Sequence, residues 1–180
     1  FSALKKIPTT SKDDWIIIIG AGGVGINGIL LSPAIHKAKI LVIDNDPEKR
    51  EKAIEAGANE AFSPDDETEI RNKIGIGASA AIDFVGRPET TDLGLSLVKK
   101  GGMVIVVGLY GGSLKLSLPL VPMKSMILRG SYVGELKELK ELVNIIKSGK
   151  IKLIPVKKQG LETANQAMSD LRSGKVNGRI

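Results

Sequence analysis

Short runs of β-branched and aliphatic residues alternate with segments of helical spacing through the first part of the chain. The runs are too short for helices and have turn residues at their ends, which is typical of buried strands. The predicted strands are Trp15–Ile19, Ile40–Ile43, Ala61–Phe62, Ala80–Val85 and Met103–Val107. A helix between successive strands lets the strands run parallel, with helices on both faces of the sheet. The pattern therefore predicts an α/β fold with a doubly wound, mostly parallel sheet.

Capping residues mark two of the connecting helices. Asp46 is expected to cap the helix that follows the second strand, with a proline at the first helical position. Pro88 begins the helix after the fourth strand, and Gly101 and Gly102 are expected to close it.

The later part of the chain is less regular. Leu114–Leu118 alternates apolar and polar residues, which predicts an antiparallel or edge strand, and Ile127–Val133 is a candidate sixth strand. Apolar residues at helical spacing predict two more helices, marked by Leu136, Leu139, Val143 and Ile146 and by Leu161, Ala164, Met168 and Leu171.

Composition excludes several kinds of site. The 180 residues include no cysteine, so there is no disulfide, no cysteine nucleophile and no Cys/His zinc site within the chain. The only histidine, His36, is expected to be a satisfied or exposed side chain and not a ligand. Aromatic residues make up 3% and the net charge of +6 is spread along the chain, so no nucleic acid is expected as a partner.

The chain gives no sign of a membrane or targeting segment. Its longest apolar runs fall far short of the roughly 20 residues that span a bilayer, so we expect no membrane partner and a cytoplasmic location. It begins at Phe1, and the segment 178–180 at its end looks like the opening of a strand. We therefore expect a fragment of a longer polypeptide.

A glycine-rich motif of the form G-x-G-x-x-G follows the first strand and opens a helix. Its residues are Gly20, Gly22, Gly23, Val24 and Gly25. A glycine first in the motif permits a tight turn, the second lets a pyrophosphate approach the backbone, and the third allows close packing of the helix. The helix then offers free N–H groups to the anion. The pattern is not that of a phosphoryl-transfer P-loop.

Asp44 ends the second strand, nineteen residues after the motif. A carboxylate at this place can accept hydrogen bonds from both hydroxyls of an adenosine ribose. This order of elements predicts a Rossmann dinucleotide-binding domain over residues 15–180: a strand, the glycine loop, a helix, a second strand and the acid. Residues 1–14 are then a lead-in from a preceding domain.

The sequence resembles the coenzyme-binding domain of the medium-chain, zinc-type alcohol dehydrogenase family. The resemblance runs from about Trp15 to Arg179 and depends on motifs in family order. Beyond the glycine motif these are Val42–Asp44, Lys49–Ala58, Asp83–Arg87, Gly102–Gly108, Gly130–Gly134 and Gly174–Arg179.

The resemblance implies residue roles in binding NAD. Lys49 corresponds to a basic residue that reaches the adenosine ribose, and Asn45 belongs to the same region. The strand end that flanks the adenine and its ribose corresponds to Phe84, Val85, Gly86 and Arg87. The backbone beside the nicotinamide corresponds to Val107, Gly108 and Leu109, and the carboxamide-binding main chain to Ser131, Tyr132 and Val133. Arg179 corresponds to a terminal arginine that pairs with the pyrophosphate.

The resemblance also implies an activity and partners. It indicates hydride transfer between NAD and an alcohol or polyol, with an alcohol or carbonyl compound as the substrate. The family holds its catalytic zinc and proton relay in a preceding domain, so zinc is expected only in a domain that this chain lacks. A homo-oligomer, dimer or tetramer, is expected, with Leu114–Val133 as a subunit contact.

Two other functions stay open. A zinc-free quinone or enoyl reductase of the same superfamily would use NADPH; Asp44 argues against it, although Asn45 and Arg50 leave some room. A non-enzymatic Rossmann module that senses nucleotides would share the glycine loop and the acid. Against the sensor are Gly108 and the segment Ser131–Val133, which only a nicotinamide-positioning site needs.

Overall fold

The computed structural model describes residues 1–149, 151–154, 156–176 and 179–180. Its strands are β1 Trp15–Ile19, β2 Lys39–Ile43, β3 Glu60–Phe62, β4 Ala78–Asp83, β5 Val98–Val106 and β6 Ile127–Gly130. Its α-helices are α1 Ser2–Lys5, α2 Gly23–Leu31, α3 Pro47–Glu55, α4 Glu67–Ile74, α5 Pro88–Leu97, α6 Leu120–Lys124, α7 Leu136–Lys147 and α8 Ala164–Arg172. Short 3₁₀ turns precede β2 and α8, at Ser32–Ala34 and Leu161–Thr163.

The strands form one sheet in the order β3-β2-β1-β4-β5-β6. Each neighbouring pair is parallel, so the described sheet is all parallel where the sequence predicted a mostly parallel one. The strand order reverses direction at β1, whose two neighbours are β2 and β4. The doubly wound α/β fold predicted from the sequence is thereby confirmed.

Alternate residues of each central strand pack on opposite faces of the sheet, as the period of a strand requires. In β1, Ile16 and Ile18 join one core cluster, which α2 covers. Ile17 and Ile19 join the other, which α4 and α5 cover. Burial on both faces explains why the strands read as continuous apolar runs and not as alternating patterns.

Helix α3 begins where the sequence predicts. The Asp46 side chain accepts hydrogen bonds from the backbone N–H groups of Glu48 at 2.9 Å and Lys49 at 3.4 Å. Burial alone would raise the pKa of Asp46, but these two N–H groups and the Lys49 amine together outweigh it, and the pKa is lowered. The helix ends before Gly57, whose φ of +109° favours glycine.

The junction between α5 and β5 corrects the sequence prediction. Helix α5 ends at Leu97 and β5 begins at once, so Gly101 and Gly102 lie inside the strand and do not close the helix. Between two paired positions, β4 advances from Ala78 to Ala80 while β5 advances from Val98 to Met103. The glycines lie in this bulge, where Gly101 has a φ of +75°. Strand β4 also starts and ends two residues earlier than predicted.

The predicted strand Leu114–Leu118 is wrong, because the structure gives this segment no regular secondary structure. Leu114 and Leu116 pack against the core cluster beneath α4 and α5. The alternation of apolar and polar residues here is therefore due to this packing and not to strand pairing. Strand β6 pairs with β5 only as far as Gly130 and is shorter than the predicted Ile127–Val133.

The first fourteen residues pack on the sheet. Ala3, Leu4 and Ile7 are buried in the core cluster that α2 covers. His36 is also buried there, with Nε2 2.9 Å from the carbonyl oxygen of Leu4 and Nδ1 3.4 Å from the hydroxyl of Thr10. The predicted satisfied histidine is confirmed, and it ties this segment to the chain before β2. The assignment of residues 1–14 to a preceding domain stays a prediction.

Within the described ranges, no helix combines the length and apolar character that crossing a membrane requires.

Candidate functional site

A crevice forms at the carboxyl ends of β1 and β4, where the strand order reverses. Loops that follow neighbouring parallel strands meet at this edge, which is where open α/β sheets bind ligands. The loops after β1, β2, β4 and β5 carry most of the residues that the sequence predicts as a site.

The glycine loop has the geometry that its sequence pattern requires. Gly20 has a φ of +89°, and its N–H donates to the carbonyl of Ile43 at 2.8 Å. A Cβ on Gly25 would lie 1.8 Å from the carbonyl oxygen of Gly20, so only glycine fits there. A Cβ on Gly22 would meet nothing within 4 Å. The loop is tight within itself and open on the side of Gly22.

The first turn of α2 faces this opening. Gly22 is the N-cap residue, and no side chain caps the helix. Gly23 and Val24 follow in the first turn, and the Val24 side chain is half exposed. An uncapped helix N-terminus offers N–H groups and the positive end of the helix dipole to an anion.

The Asp44 carboxylate is fixed across the mouth of the glycine loop. One oxygen accepts the N–H of Ala21 at 2.7 Å, and the other accepts the N–H of Asp46 at 2.9 Å. Each carboxylate oxygen can accept more than one hydrogen bond, so both can still accept a ligand hydroxyl. Asn45 is exposed beside it.

The two basic residues after Asp44 contact neighbouring protein groups. The Lys49 amine lies 3.5 Å from a carboxylate oxygen of Asp46. The Arg50 guanidinium donates to the backbone carbonyl of Asp44 at 2.8 Å. The structure therefore brings Lys49 to the start of α3, where it contacts the cap.

Asp83, the last residue of β4, organises the next loop. It is fully buried, and one of its oxygens accepts the N–H groups of Val85 and Gly86, each at 2.9 Å. The other oxygen accepts the hydroxyls of Thr90 and Thr91, each at 2.8 Å. The sequence analysis gave Asp83 no role. A possible signal was an acid at a strand end followed seven and eight residues later by hydroxyl side chains.

The chain crosses itself closely where the loops after β4 and β5 meet. A Cβ on Gly86 would lie 2.1 Å from the carbonyl oxygen of Gly108, and a Cβ on Gly108 would lie 2.1 Å from the carbonyl carbon of Val85. Gly86 also has a φ of +77°. The N–H groups of Val107 and Gly108 both donate to the carbonyl of Asp83. Glycine at both positions makes this contact possible.

Phe84 points away from the crevice mouth. Its ring packs against α2, where a Cβ on Gly28 would lie 3.0 Å from the ring. Phe84 therefore stabilises the contact between α2 and the sheet, and its side chain lies behind the glycine loop, 3.7 Å from where a Cβ on Gly25 would be.

A cavity of about 400 Å³ lies beside the glycine loop, in the size range of small-molecule sites. Its lining includes Ile19, Gly20, Ile43, Asp44, Asn45, Pro64, Val85, Arg87, Glu89, Thr90, Leu93 and Tyr110. Most of the floor is apolar, and Arg87 and Tyr110 stand together in one wall with the guanidinium carbon 3.6 Å from the ring centre. Sequence reasoning missed Tyr110 and Pro64, because folding alone brings these two residues into the lining of the cavity.

The residues predicted beside a nicotinamide lie farther along the edge. Val107 is half-buried against the core cluster that α2 covers, and Leu109 is exposed. Ser131 is buried, with its N–H donating to the carbonyl of Val106 and its hydroxyl 3.0 Å from the Lys6 amine.

Tyr132 and Val133 are exposed and line a separate hollow of about 620 Å³. Val133 has a φ of +46°, an unusual conformation for a β-branched residue. Arg179 forms a parallel bridge with Val156, and its carbonyl accepts the N–H of Lys157. Arg179 is not among the described residues that line the cavity beside the glycine loop.

Among the described residues, no three His, Asp or Glu side chains come close enough together to hold a metal ion.

Known proteins resemble the chain in both sequence and fold. A family profile described as zinc-binding dehydrogenase matches residues 23–148. An NAD-dependent alcohol dehydrogenase of Sulfolobus acidocaldarius is 38% identical over 168 residues, which are 91% of this chain and 48% of that protein. A D-arabinose 1-dehydrogenase (NADP(+)) of Saccharolobus solfataricus is 35% identical, over 97% of this chain and 51% of that protein.

The crystal structure of the alcohol dehydrogenase of Aeropyrum pernix superimposes with a TM-score of 0.91 at 30% identity. The match covers 98% of this chain and 52% of that one. The chain thus spans about half the length of these relatives. The family profile covers most of the chain, and the resemblance noted from the motifs is confirmed: the chain belongs to the zinc-binding dehydrogenase family and matches its coenzyme-binding part.

Proposed function

We propose that the chain is the NAD-binding part of an alcohol dehydrogenase, which transfers a hydride between an alcohol or polyol and NAD. The observation that carries the proposal is the Asp44 carboxylate, held at the mouth of the glycine loop by the N–H groups of Ala21 and Asp46. An acid there accepts hydrogen bonds from an unphosphorylated ribose. Relatives named as NAD-dependent alcohol dehydrogenases support the same assignment.

The residues fit the cofactor in shape and charge. Space beside Gly22 and the uncapped N-terminus of α2 suit a pyrophosphate, because backbone N–H groups can approach it directly. The apolar cavity with Val85 in its floor suits an adenine ring. Bound NAD would supply the hydride chemistry, and this chain would bind and orient it.

The nicotinamide end is proposed to lie along the backbone of Val107, Gly108 and Leu109. The main chain of Ser131, Tyr132 and Val133 would orient its carboxamide, and Arg179 would pair with the pyrophosphate. The family resemblance supports these roles, and close packing of Gly108 on the loop after β4 supports a fixed position for the first of these segments.

The alcohol or carbonyl substrate and the catalytic zinc are proposed to bind to a part of the protein outside this chain. Among the described residues, no three His, Asp or Glu side chains lie close enough together to hold zinc. The share of each relative that the chain covers, about half, is consistent with a second domain. A cytoplasmic location is likewise proposed, and cell fractionation would test it.

We further propose that copies of the chain associate through the edge strand β6. Ile127 and Leu128 on this strand are exposed, and an uncovered apolar edge readily pairs with another chain. Light scattering of the full-length protein should give a dimer or tetramer. A clean monomer at micromolar concentration would contradict this.

Titration with NADH and NADPH, followed by fluorescence, tests the cofactor. The 2′-phosphate of NADPH would remove a donor to Asp44 and put a like charge beside it. One repulsive pair about 4 Å apart costs about 4 kcal/mol at an effective dielectric constant of about 20. Salt, Lys49 and Arg50 offset part of this, so we expect a preference for NADH of about a hundredfold.

Two variants locate the site. Asp44→Ala should lose NADH affinity and gain relative affinity for NADPH, whereas Asp92→Ala, at an exposed acid of α5, should change neither. Gly22→Val should weaken both cofactors, since the side chain fills the space where the pyrophosphate approaches. Equal binding of NADH and NADPH by the unmodified chain would reject the role of Asp44 and the choice of NAD.

A further inference from the structure

Tyr110 and Arg87 form a stacked pair at the outer wall of the cavity beside the glycine loop. The guanidinium carbon lies 3.6 Å from the centre of the tyrosine ring. At this distance the guanidinium carbon lies over the ring in van der Waals contact, and the ring attracts the cation. The two residues come from different loops, after β4 and after β5.

Backbone contacts fix these two loops against each other. The N–H of Tyr110 donates to the carbonyl of Val85 at 3.3 Å, and the N–H of Gly111 donates to that of Gly86 at 3.2 Å. A Cβ on Gly112 would lie 2.7 Å from the ring of Pro88. The place of the tyrosine is therefore set by main-chain bonds and tight packing, although its side chain is 69% exposed.

In the described part of the chain, the Arg87 guanidinium contacts the Tyr110 ring and not a carboxylate. Among the described residues, none of the ion pairs within 4 Å includes Arg87, although Glu89 lines the same cavity. A long exposed side chain without a fixed partner samples many rotamers, and ordering it on ligand binding costs affinity. The Tyr110 ring restricts the guanidinium to one plane before any ligand arrives.

We propose that Tyr110 is a positioning residue that holds the Arg87 guanidinium flat, so that its other face stacks on the adenine of the dinucleotide. This rests on the proposed function, since it takes NAD as the ligand. The adenine would then lie between the guanidinium and the apolar side chains of Val85 and Ile43, which line the same cavity as Arg87. Tyr110 thus acts on the adenosine half of the cofactor through Arg87, without contacting the reacting atoms.

Measuring the binding of each half of the cofactor separately shows whether Tyr110 acts on the adenosine half alone. AMP stands for the adenosine half and nicotinamide mononucleotide for the other, and calorimetry on the 180-residue chain gives both dissociation constants. Tyr110→Ala should weaken AMP and NADH by about five- to tenfold and leave nicotinamide mononucleotide unchanged. Tyr110→Phe keeps the ring and should bind AMP within about twofold of the unmodified chain.

A double-mutant cycle tests whether Tyr110 acts through Arg87. In an Arg87→Ala background, Tyr110→Ala should cause no further loss of AMP affinity. Ile76→Ala is the control, because Ile76 is 88% exposed and lies at the opposite end of the sheet, before β4. Unfolding curves of all variants should coincide with that of the unmodified chain, since Tyr110 adds little buried area.

If NADH still binds, three results would reject the role of Tyr110 and leave the proposed function intact. They are an unchanged AMP affinity in Tyr110→Ala, an equal loss of AMP affinity with and without Arg87, and a loss for nicotinamide mononucleotide as large as that for AMP. If the unmodified chain binds neither AMP nor NADH, the proposed function fails as well.

Discussion

Residues 1–106, the first region, and the residues after 106, the second region, differ sharply in burial. Every buried apolar side chain of the described chain lies before residue 106, and the last of them is Ile105. After Val106 the only buried side chain among the described residues is that of Ser131. Helices α7 and α8 bury no residue, and their apolar side chains, such as Leu136 and Met168, are largely exposed.

The proposed cofactor site is divided along the same line. The adenosine half lies on loops that the first region fixes, with the buried Asp83 accepting four hydrogen bonds beneath it. The nicotinamide half lies on exposed segments of the second region, such as Leu109 and Val133. Large exposed apolar surfaces mark places where another protein surface binds. The first region therefore fixes most of the proposed adenosine half, to which the second region contributes Tyr110 beside Arg87.

The largest effect that would distinguish the two regions is on the free energy of unfolding. Ile82 is fully buried and pairs with β1 and β5, so Ile82→Ala should destabilise the chain by about 2 to 5 kcal/mol. Leu139 is 55% exposed, and Leu139→Ala should change stability by less than about 0.5 kcal/mol. Guanidinium chloride unfolding measures both. Similar losses in the two variants would show that the second region is packed as tightly as the first.

A smaller effect should follow from Asp83→Asn. The amide keeps one oxygen for the N–H groups of Val85 and Gly86, but its NH₂ group faces the Thr90 and Thr91 hydroxyls, which must then accept instead of donate. The hydrogen bonds also lose their charge assistance, so we expect a cost of about 1 to 3 kcal/mol. NADH affinity should fall as well, because a neutral amide oxygen holds the N–H groups of Val85 and Gly86 less strongly than a carboxylate does. The control is Asp92→Asn on the exposed face of α5, which should change stability by less than about 0.5 kcal/mol. Equal stability of the two variants would mean that Asp83 does not organise the loop.

The first region is also the one that local sequence rules predict well. The strand β1, the glycine loop, the start of α3 at Asp46 and the acid Asp44 each follow from residues within a few positions of one another. The doubly wound, mostly parallel sheet follows too, because strands joined by helices have few arrangements.

Features that depend on distant contacts were not predictable in this way. The early start of β5 depends on a bulge against Ala78 and Ala80, and the alternation in Leu114–Leu118 reflects packing on a core built from other elements. The Arg87–Tyr110 pair joins two loops that only folding brings together. The Asp83 hydrogen bonds are local, reaching no more than eight residues along the chain, and were missed for lack of a recognised pattern. The roles predicted for Ser131, Tyr132 and Val133 come from family resemblance and stay predictions.

An acid-dependent effect should appear at the amino end of the sheet, inside the first region. Asp14 accepts a hydrogen bond from the Lys99 amine at 2.8 Å, and from the Ser79 hydroxyl and the Ser11 N–H. These bonds, that of Lys99 first, hold the pKa of Asp14 well below its ordinary value of 3.8. Because the folded pKa is the lower one, the stabilisation is complete above pH 3.8 and is lost as the pH falls toward the folded pKa.

Asp14→Asn should therefore cost about 1 kcal/mol at neutral pH and progressively less below about pH 4. Urea unfolding at several pH values measures the difference. The control is Asp13→Asn at the adjacent exposed acid, for which the difference should be small at every pH. A cost for Asp14→Asn that stays constant down to pH 2 would contradict a role for its charge.

The smallest expected effect concerns the strained backbone of the second region. Val133 is 72% exposed and has a φ of +46°, a conformation that costs a β-branched residue about 1 to 3 kcal/mol. Val133→Gly removes this cost but adds backbone entropy to the unfolded chain, so a net gain in stability of less than about 1 kcal/mol is expected. Val143→Gly, inside α7, should have the opposite sign. Thermal unfolding compares the two, and nicotinamide mononucleotide affinity should fall in Val133→Gly if the strained conformation serves the carboxamide. A loss of stability in both variants would mean that the backbone at Val133 stores no strain.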